Sequence, residues 1–320
     1  MDRLLDALPG LFLLLGTGFV LSIIALTWYT YHRLRTPPRR TAAWAVSRGI
    51  ASTPDELDTT LSFTDESLTP TSGWWRGARI PYWDIEGLDR DAPVLVITPG
   101  WGDSRVGSLR RVERLASSCS RIIAWDPPGL GEAGGRTTLG VHEPALLLEL
   151  CGQLGTPLEQ IVLYGSSMGA GISIAASAHD DTPLRGVIAE APYIAARTPA
   201  YNVLRESGIP WRINGSLAFA LLGLRLGVGA HWNSFSRLAL ARALRCPLLV
   251  IHGTVDTTCP LDDARQIVDH ASHASLIEID GAGHNNMWSE EPYASACADA
   301  CERFIRELPA LTGIPVSSSG

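Results

Sequence analysis

One short stretch of the chain carries the residue types of nucleophilic catalysis. Gly165-Ser166-Ser167-Met168-Gly169 follows an apolar run at 161–164 and opens a helical pattern. A serine at a tight strand-to-helix turn presents its hydroxyl at the strand's C-terminal edge. Such a turn accepts only small neighbours, which accounts for Gly165 and Gly169. Ser167 is the expected nucleophile. The Met168 N–H, at the helix start, would point toward a developing oxyanion.

A serine hydroxyl needs a base, and the base needs an orienting acid. Asp256 ends the segment His252-Gly253-Thr254-Val255-Asp256, just past another apolar run. Catalytic groups gather at such strand ends in open parallel sheets. His284 lies in the glycine-rich loop Gly281-Ala282-Gly283-His284-Asn285 after the last apolar run. Asp256 follows Ser167 by 89 residues and His284 follows Asp256 by 28, the second interval being room for one helix and one strand. Glu190, at the end of the fourth run, is the alternative acid. His231 precedes Asp256 in the chain, His252 stands at a strand terminus as a structural group, and His179, His270 and His273 belong in or beside helices. Asp126 reads as a turn residue. The second oxyanion donor is expected in the loop Thr98-Pro99-Gly100-Trp101-Gly102-Asp103-Ser104, at the Trp101 N–H.

These residues need a scaffold that brings strand ends together. Six apolar runs, at 94–97, 121–125, 161–164, 186–189, 247–251 and 275–279, read as buried strands of a mostly parallel sheet. Helical patterns near 105–117, 143–154, 168–178, 261–272 and 289–307 alternate with them. The fold class is therefore α/β, with helices on both faces of a central sheet. The stretch 61–84, with Trp74, Trp75, Ile80 and Tyr82, suits an antiparallel pair at one edge. From 194 to 244 no strand intervenes. That segment holds Trp211, the apolar run 217–226 and Trp232, and is expected to be a helical cap over the site. The core then comprises 61–193 and 245–308, with a connecting segment at 41–60 that begins as a helix and a tail at 309–320.

The charge of the 320 residues is uneven. All 26 basic residues are arginine, and 33 acids give a net charge of −7. A nucleic-acid binder would show a basic stripe, so none is expected. With 46% hydrophobic residues, the chain is not a disordered one either. Ala7 to Tyr31 contains no charged side chain, and Arg33, Arg35, Arg39 and Arg40 follow. Without residues 1–40 the remainder has 21 basic and 31 acidic residues. Residues 8–29 are long enough to cross a hydrocarbon core of roughly 30 Å as one helix, and Trp28, Tyr29 and Tyr31 suit the headgroup level. A secretory signal would want a net positive start and a small-residue cleavage site, whereas Asp2 and Asp6 cancel Arg3 and the amino terminus. Residues 1–40 therefore read as a single-pass membrane anchor with a basic collar, the N-terminus outside and the body cytoplasmic. Six scattered cysteines without a C-x-x-C pair agree with reduced thiols. Cys297 and Cys301 read as packing residues, and no metal or nucleotide motif calls for a cofactor.

Across roughly 60–308 the chain resembles the α/β-hydrolases, in the order serine, acid, histidine. More narrowly it is similar to the capped serine hydrolases of the serine-aminopeptidase-like, monoacylglycerol-lipase-like and prolyl-oligopeptidase-like branch. The matching pieces are Pro99-Gly100-Trp101-Gly102, Trp125-Asp126-Pro127-Pro128-Gly129-Leu130-Gly131, Gly165-Ser166-Ser167-Met168-Gly169, His252-Gly253-Thr254-Val255-Asp256 and Gly283-His284. Two positions depart from the family pattern. Pro99 stands where members commonly have a histidine that anchors the oxyanion loop, and Pro128 stands where they commonly have arginine. The resemblance implies a serine hydrolase with Ser167, Asp256 and His284 as triad and the Trp101 and Met168 amides as oxyanion hole. A carboxylic ester or thioester, small and lipophilic, is the expected acyl substrate. Amide cleavage by the same triad and a non-catalytic, membrane-tethered binding protein are the other readings.

Overall fold

The computed structural model describes residues 2–179, 182–208, 212–232 and 235–309, with side chains from residue 9 onward. Trp211 and the tail from 310 lie outside the described residues. A long helix, α1 (Asp2–Arg35), leads into the short α2 (Ala42–Val46). Two strands follow, β1 (Phe63–Leu68) and β2 (Ile80–Glu86). The alternation then begins: β3 (Val94–Thr98), α3 (Leu109–Leu115), β4 (Arg121–Trp125), α4 (Glu143–Gln153), β5 (Ile161–Ser166), α5 (Met168–Ser177) and β6 (Gly186–Glu190). Helices α6 (Arg197–Glu206), α7 (Asn214–Leu226) and α8 (Arg237–Ala243) occupy the strandless interval. The chain closes with β7 (Leu248–Gly253), α9 (Leu261–His270), β8 (Ala274–Ile279) and α10 (Tyr293–Glu307).

The eight strands form one sheet in the order β1-β2-β4-β3-β5-β6-β7-β8. β2 is antiparallel to both β1 and β4, and the other pairings are parallel. Because side chains alternate along a strand, the sheet feeds two cores. Val94 and Val96 face one, with Leu146 and Leu150 of α4, Ile172 of α5 and Ile267 of α9. Leu95 and Ile97 face the other, with Val112 of α3 and Cys301 of α10. β3, β5, β6 and β7 are buried nearly throughout, as apolar runs covered on both faces must be.

Three expectations change. The run at 275–279 is not a buried strand: β8 is the sheet edge, and only Ile279 of it is buried. The helix expected from 105 begins at Leu109, because Ser104 and Arg105 are tied into the loop before it. Ser104 Oγ donates to the Arg40 carbonyl at 2.6 Å, and Arg105 N donates to Asp126 Oδ1 at 2.8 Å. The helix expected from 289 begins after Pro292, which stands at its N-cap.

Helix α1 contains the stretch Pro9–Arg35, long and apolar enough to cross a membrane and with little of it buried against the protein. Its last turns belong to the body. Tyr31 and Leu34 enter the core with Phe219 of α7, and Asn214 Nδ2 donates to Thr30 Oγ1 at 2.7 Å. The arginines of the collar are engaged rather than free. Arg35 Nε donates to the Thr137 carbonyl at 3.4 Å, Arg39 Nη1 to the Ala133 carbonyl at 2.9 Å, and Arg40 pairs with Asp103 at 3.1 Å.

Candidate active site

Ser167 links β5 to α5 with φ 52° and ψ −109°, a left-handed backbone that costs a non-glycine residue of order 1–3 kcal/mol. The flanking glycines make the turn sterically possible. A Cβ on Gly165 would run into the Gly169 carbonyl, and one on Gly169 would run into the Thr98 carbonyl. Met168 is the first residue of α5, so its N–H has no partner within the helix. The loop after β3 lies against this turn: a Cβ on Gly100 would sit 3.3 Å from Ser167 Cβ. Trp101 is the next residue.

Asp256 and His284 come together from the loops after β7 and β8. His284 Nδ1 lies 2.7 Å from Asp256 Oδ2. Asp256 Oδ1 accepts from the Thr258 and Cys259 amides, each at 2.8 Å, which fixes the carboxylate. Burial alone would raise its pKa, but the bond to His284 and these amides hold it below the ordinary aspartate range. Burial would also lower the His284 pKa. The Asp256 carboxylate and the neighbouring Cys259 sulfur outweigh it and hold the imidazole well above an ordinary histidine. His252 is structural: its Nε2 lies 3.0 Å from the Cys259 carbonyl and 3.5 Å from Asp256 Oδ2.

Cys259 is the residue sequence reasoning missed. Its Sγ lies 3.9 Å from Ser167 Oγ and close to the His284 ring, so the thiol borders both. Burial raises its pKa, which keeps it a thiol at neutral pH. The available signal was its place three residues after Asp256, in the turn that wraps that carboxylate. Among the described residues no hydrogen bond joins Ser167 to His284, a common state of such a pair before substrate arrives. Asp256, Cys259 and His284 are also the donors that could hold a divalent ion, their ligand atoms lying within 4.8 Å of one another.

Glu190 is occupied elsewhere. Arg111 grips it with both Nε (2.7 Å to Oε2) and Nη2 (2.6 Å to Oε1), Trp288 Nε1 donates to it at 3.1 Å, and the Tyr164 hydroxyl also donates. Arg111 holds the buried carboxylate charged against the cost of desolvation. This cluster supports the turn from beneath, since Ser167 N donates to the Glu190 carbonyl at 2.8 Å and Ser166 Oγ to its carboxylate at 3.2 Å. Asp126, as a turn residue, accepts from the Arg105 and Glu132 amides, and burial raises its pKa to about 6.

The loop after β3 has its own anchor. Trp101 Nε1 donates to the Leu34 carbonyl of α1 at 2.8 Å, and the Arg33 guanidinium stands 5.6 Å over the indole. Gly102 packs near Pro37 and Pro38. Ser167 and His284 open into a cleft of about 660 Å³. Leu34, Trp44, Ile50 and Leu57 line it together with Ala196, Pro199, Ala200 and Val203, in and just before α6, and with charged side chains that include Arg40, Glu56 and Arg110.

Residues 94–300 match the family described as "Alpha/beta hydrolase family". Among curated proteins, the chain is 23% identical over 203 residues to human Protein ABHD12B, covering 60% of this chain and 53% of that protein. It is 22% identical over 254 residues to the zebrafish lysophosphatidylserine lipase ABHD12, covering 77% of this chain and 63% of the relative. The chain thus spans little more than half the length of these relatives. Among solved structures, the Pyrococcus furiosus esterase Pf2001 superposes with a TM-score of 0.66 at 18% identity, over 87% of this chain and 99% of the esterase. With a single sheet, a strained turn after β5 and a family match over most of its length, the chain belongs to the alpha/beta hydrolase family.

Proposed function

We propose that this protein is a membrane-anchored serine hydrolase that cleaves a carboxylic ester or thioester through an acyl-enzyme. The observation that carries the reading is the meeting of a 2.7 Å Asp256–His284 pair with Ser167, held at φ 52°, in one cleft. Ser167 Oγ attacks the acyl carbon while His284 Nε2 takes its proton. The tetrahedral oxyanion lies against the Met168 and Trp101 N–H groups. His284 then gives the proton to the leaving alkoxide or thiolate, and water repeats the sequence to free the acid. Asp256 keeps the proton of the resting imidazole on Nδ1, so that Nε2 is the basic nitrogen.

The cleft is lined by apolar side chains such as Leu34, Ile50, Leu57 and Val203 and by charged ones such as Arg40, Glu56 and Arg110. That lining suits an acyl group with a polar head, and one relative is named as a lysophosphatidylserine lipase. Residues 194–244 act as the cap, a reading supported by Ala196, Pro199, Ala200 and Val203, which line the same cleft as Ser167. The exposed apolar part of α1, up to about Tyr29, is the membrane span, and the turns after it belong to the body. The arginines that follow the span support a cytoplasmic body, since positive charge stays on that side of a membrane.

A fluorophosphonate probe tests the chemistry. Wild type is expected to be labelled and Ser167→Ala not; equal labelling of the two overturns the reading. In intact cells, an externally added protease is expected to spare the body; its digestion there would overturn the orientation.

A further inference from the structure

The cap helix α7 presents an apolar stripe that none of the described residues covers. Ile213, just before it, and Leu217, Leu221 and Leu224 are between 46 and 64% exposed. Their spacing of four, four and three residues puts them on one helical face. The opposite face, with Ala218, Phe219, Leu222 and Leu226, is buried in the body. α7 is thus apolar on both sides, which in water is an unstable arrangement for a surface helix.

The stripe continues another apolar surface. α7 packs along the last turns of α1, joined there by the Asn214–Thr30 hydrogen bond. On α1, in the turns just before Thr30, Leu21, Ile24, Trp28 and Tyr29 are all more than half exposed. Any phase that takes up the apolar surface of α1 therefore meets the α7 stripe beside it. Arg225, exposed at the C-terminal end of α7, is placed to reach a phosphate at the edge of such a phase.

We propose that α7 lies in the interface of the bilayer that α1 crosses, so that the cap rests on lipid and the cleft receives its substrate from the membrane. The inference rests on the anchored reading above. α6, which helps to wall the cleft, packs on α7 through Tyr201 against Phe219, ring centroids 5.4 Å apart. A helix held in lipid by its outer face thereby places the cap wall at the membrane surface.

All six native cysteines are buried, so a cysteine placed on the surface can be labelled selectively. The full chain is reconstituted in phosphatidylcholine vesicles with a nitrobenzoxadiazole fluorophore at Leu221→Cys, Leu14→Cys or Asp262→Cys, the last as a water-exposed reference. Position 221 is expected to emit blue-shifted from 262 and to be quenched at least twofold more by doxyl-labelled lipid. Emission and quenching equal to those at 262 overturn the inference, while a lipid-shielded position 14 in the same series leaves the anchor standing. A water-exposed position 14 removes the anchor, and the inference with it. A blue shift without doxyl quenching assigns the stripe to a second copy of the chain and overturns the lipid proposal. The double variant Leu217→Asp, Leu221→Asp adds a functional arm. Its turnover of a soluble acetate ester is expected within twofold of wild type, and its turnover of a long-chain monoacyl ester in vesicles to fall about tenfold. An equal rate on the vesicle substrate also overturns the proposal.

Discussion

Trp101 donates its indole N–H to the backbone carbonyl of Leu34 at 2.8 Å, and this bond ties the loop beside Ser167 to the end of α1. Pro99, in the same loop, has no side-chain donor, and the Trp101 indole supplies the loop's tie to α1. Trp101→Phe keeps the ring and the backbone N–H and removes only the indole donor. A hydrogen bond of this kind contributes about 1 kcal/mol. On a p-nitrophenyl ester, kcat is expected to fall up to about tenfold with KM nearly unchanged. An unchanged kcat would mean that the loop holds its place without α1.

Asp256 and Glu190 were both candidates for the acid, and their surroundings predict opposite phenotypes. Asp256→Asn leaves a neutral partner at His284 Nδ1 and favours the wrong tautomer. The expected loss in kcat is about 10⁴-fold with folding retained. A loss below tenfold would remove Asp256 from the triad.

Glu190→Gln should act on stability instead. The Arg111–Glu190 pair is close to fully buried, and neutralising one partner leaves an uncompensated charge that costs about 3–5 kcal/mol. A fall in the thermal midpoint is expected. Removing Arg111 as well, by Arg111→Met with Glu190→Gln, should recover part of it. A wild-type midpoint with a collapsed kcat would make Glu190 a catalytic group.

The pH profile follows from His284. A general base acts when neutral, so kcat/KM is expected to rise with pH through a pKa above the ordinary 6.5 of histidine. Cys259→Ala removes the sulfur that takes a hydrogen bond from the charged imidazole and should move that limb to lower pH. An unmoved limb would mean that Asp256 alone sets it. Stability carries the same sign. A histidine whose pKa is raised by folding stabilises the native state fully below about 6.5, and this contribution fades as pH rises through the folded value. The urea midpoint should decline over that range in wild type and less so in His284→Ala.

What could be read from the sequence was whatever is local. Apolar runs marked the strands because a buried strand is written as consecutive apolar residues, and Ser167 was legible because its turn demands glycines two residues to either side. β8 misled because an edge strand can be as apolar as a central one. The helix expected from 105 was overextended because what shortens it is distant: Arg40 and Asp126 hold Ser104 and Arg105. The Glu190 cluster was invisible for the same reason, since Arg111 lies 79 residues and Trp288 98 residues from Glu190 in the chain. Cys259 stayed among the scattered thiols because a thiol in a turn has no periodic signature.

Helix α1 passes without interruption from its exposed apolar stretch to Leu34, which is buried in the body and lines the cleft. With no jointed tether, the helical rise sets Leu34 about 7 Å along the axis beyond Tyr29. On the anchored reading the cleft then stands at a set height above the lipid, like a tool on a rigid arm. Such an enzyme selects by depth: bonds held near the headgroup plane come within reach, and chemically identical bonds displayed farther into the water do not.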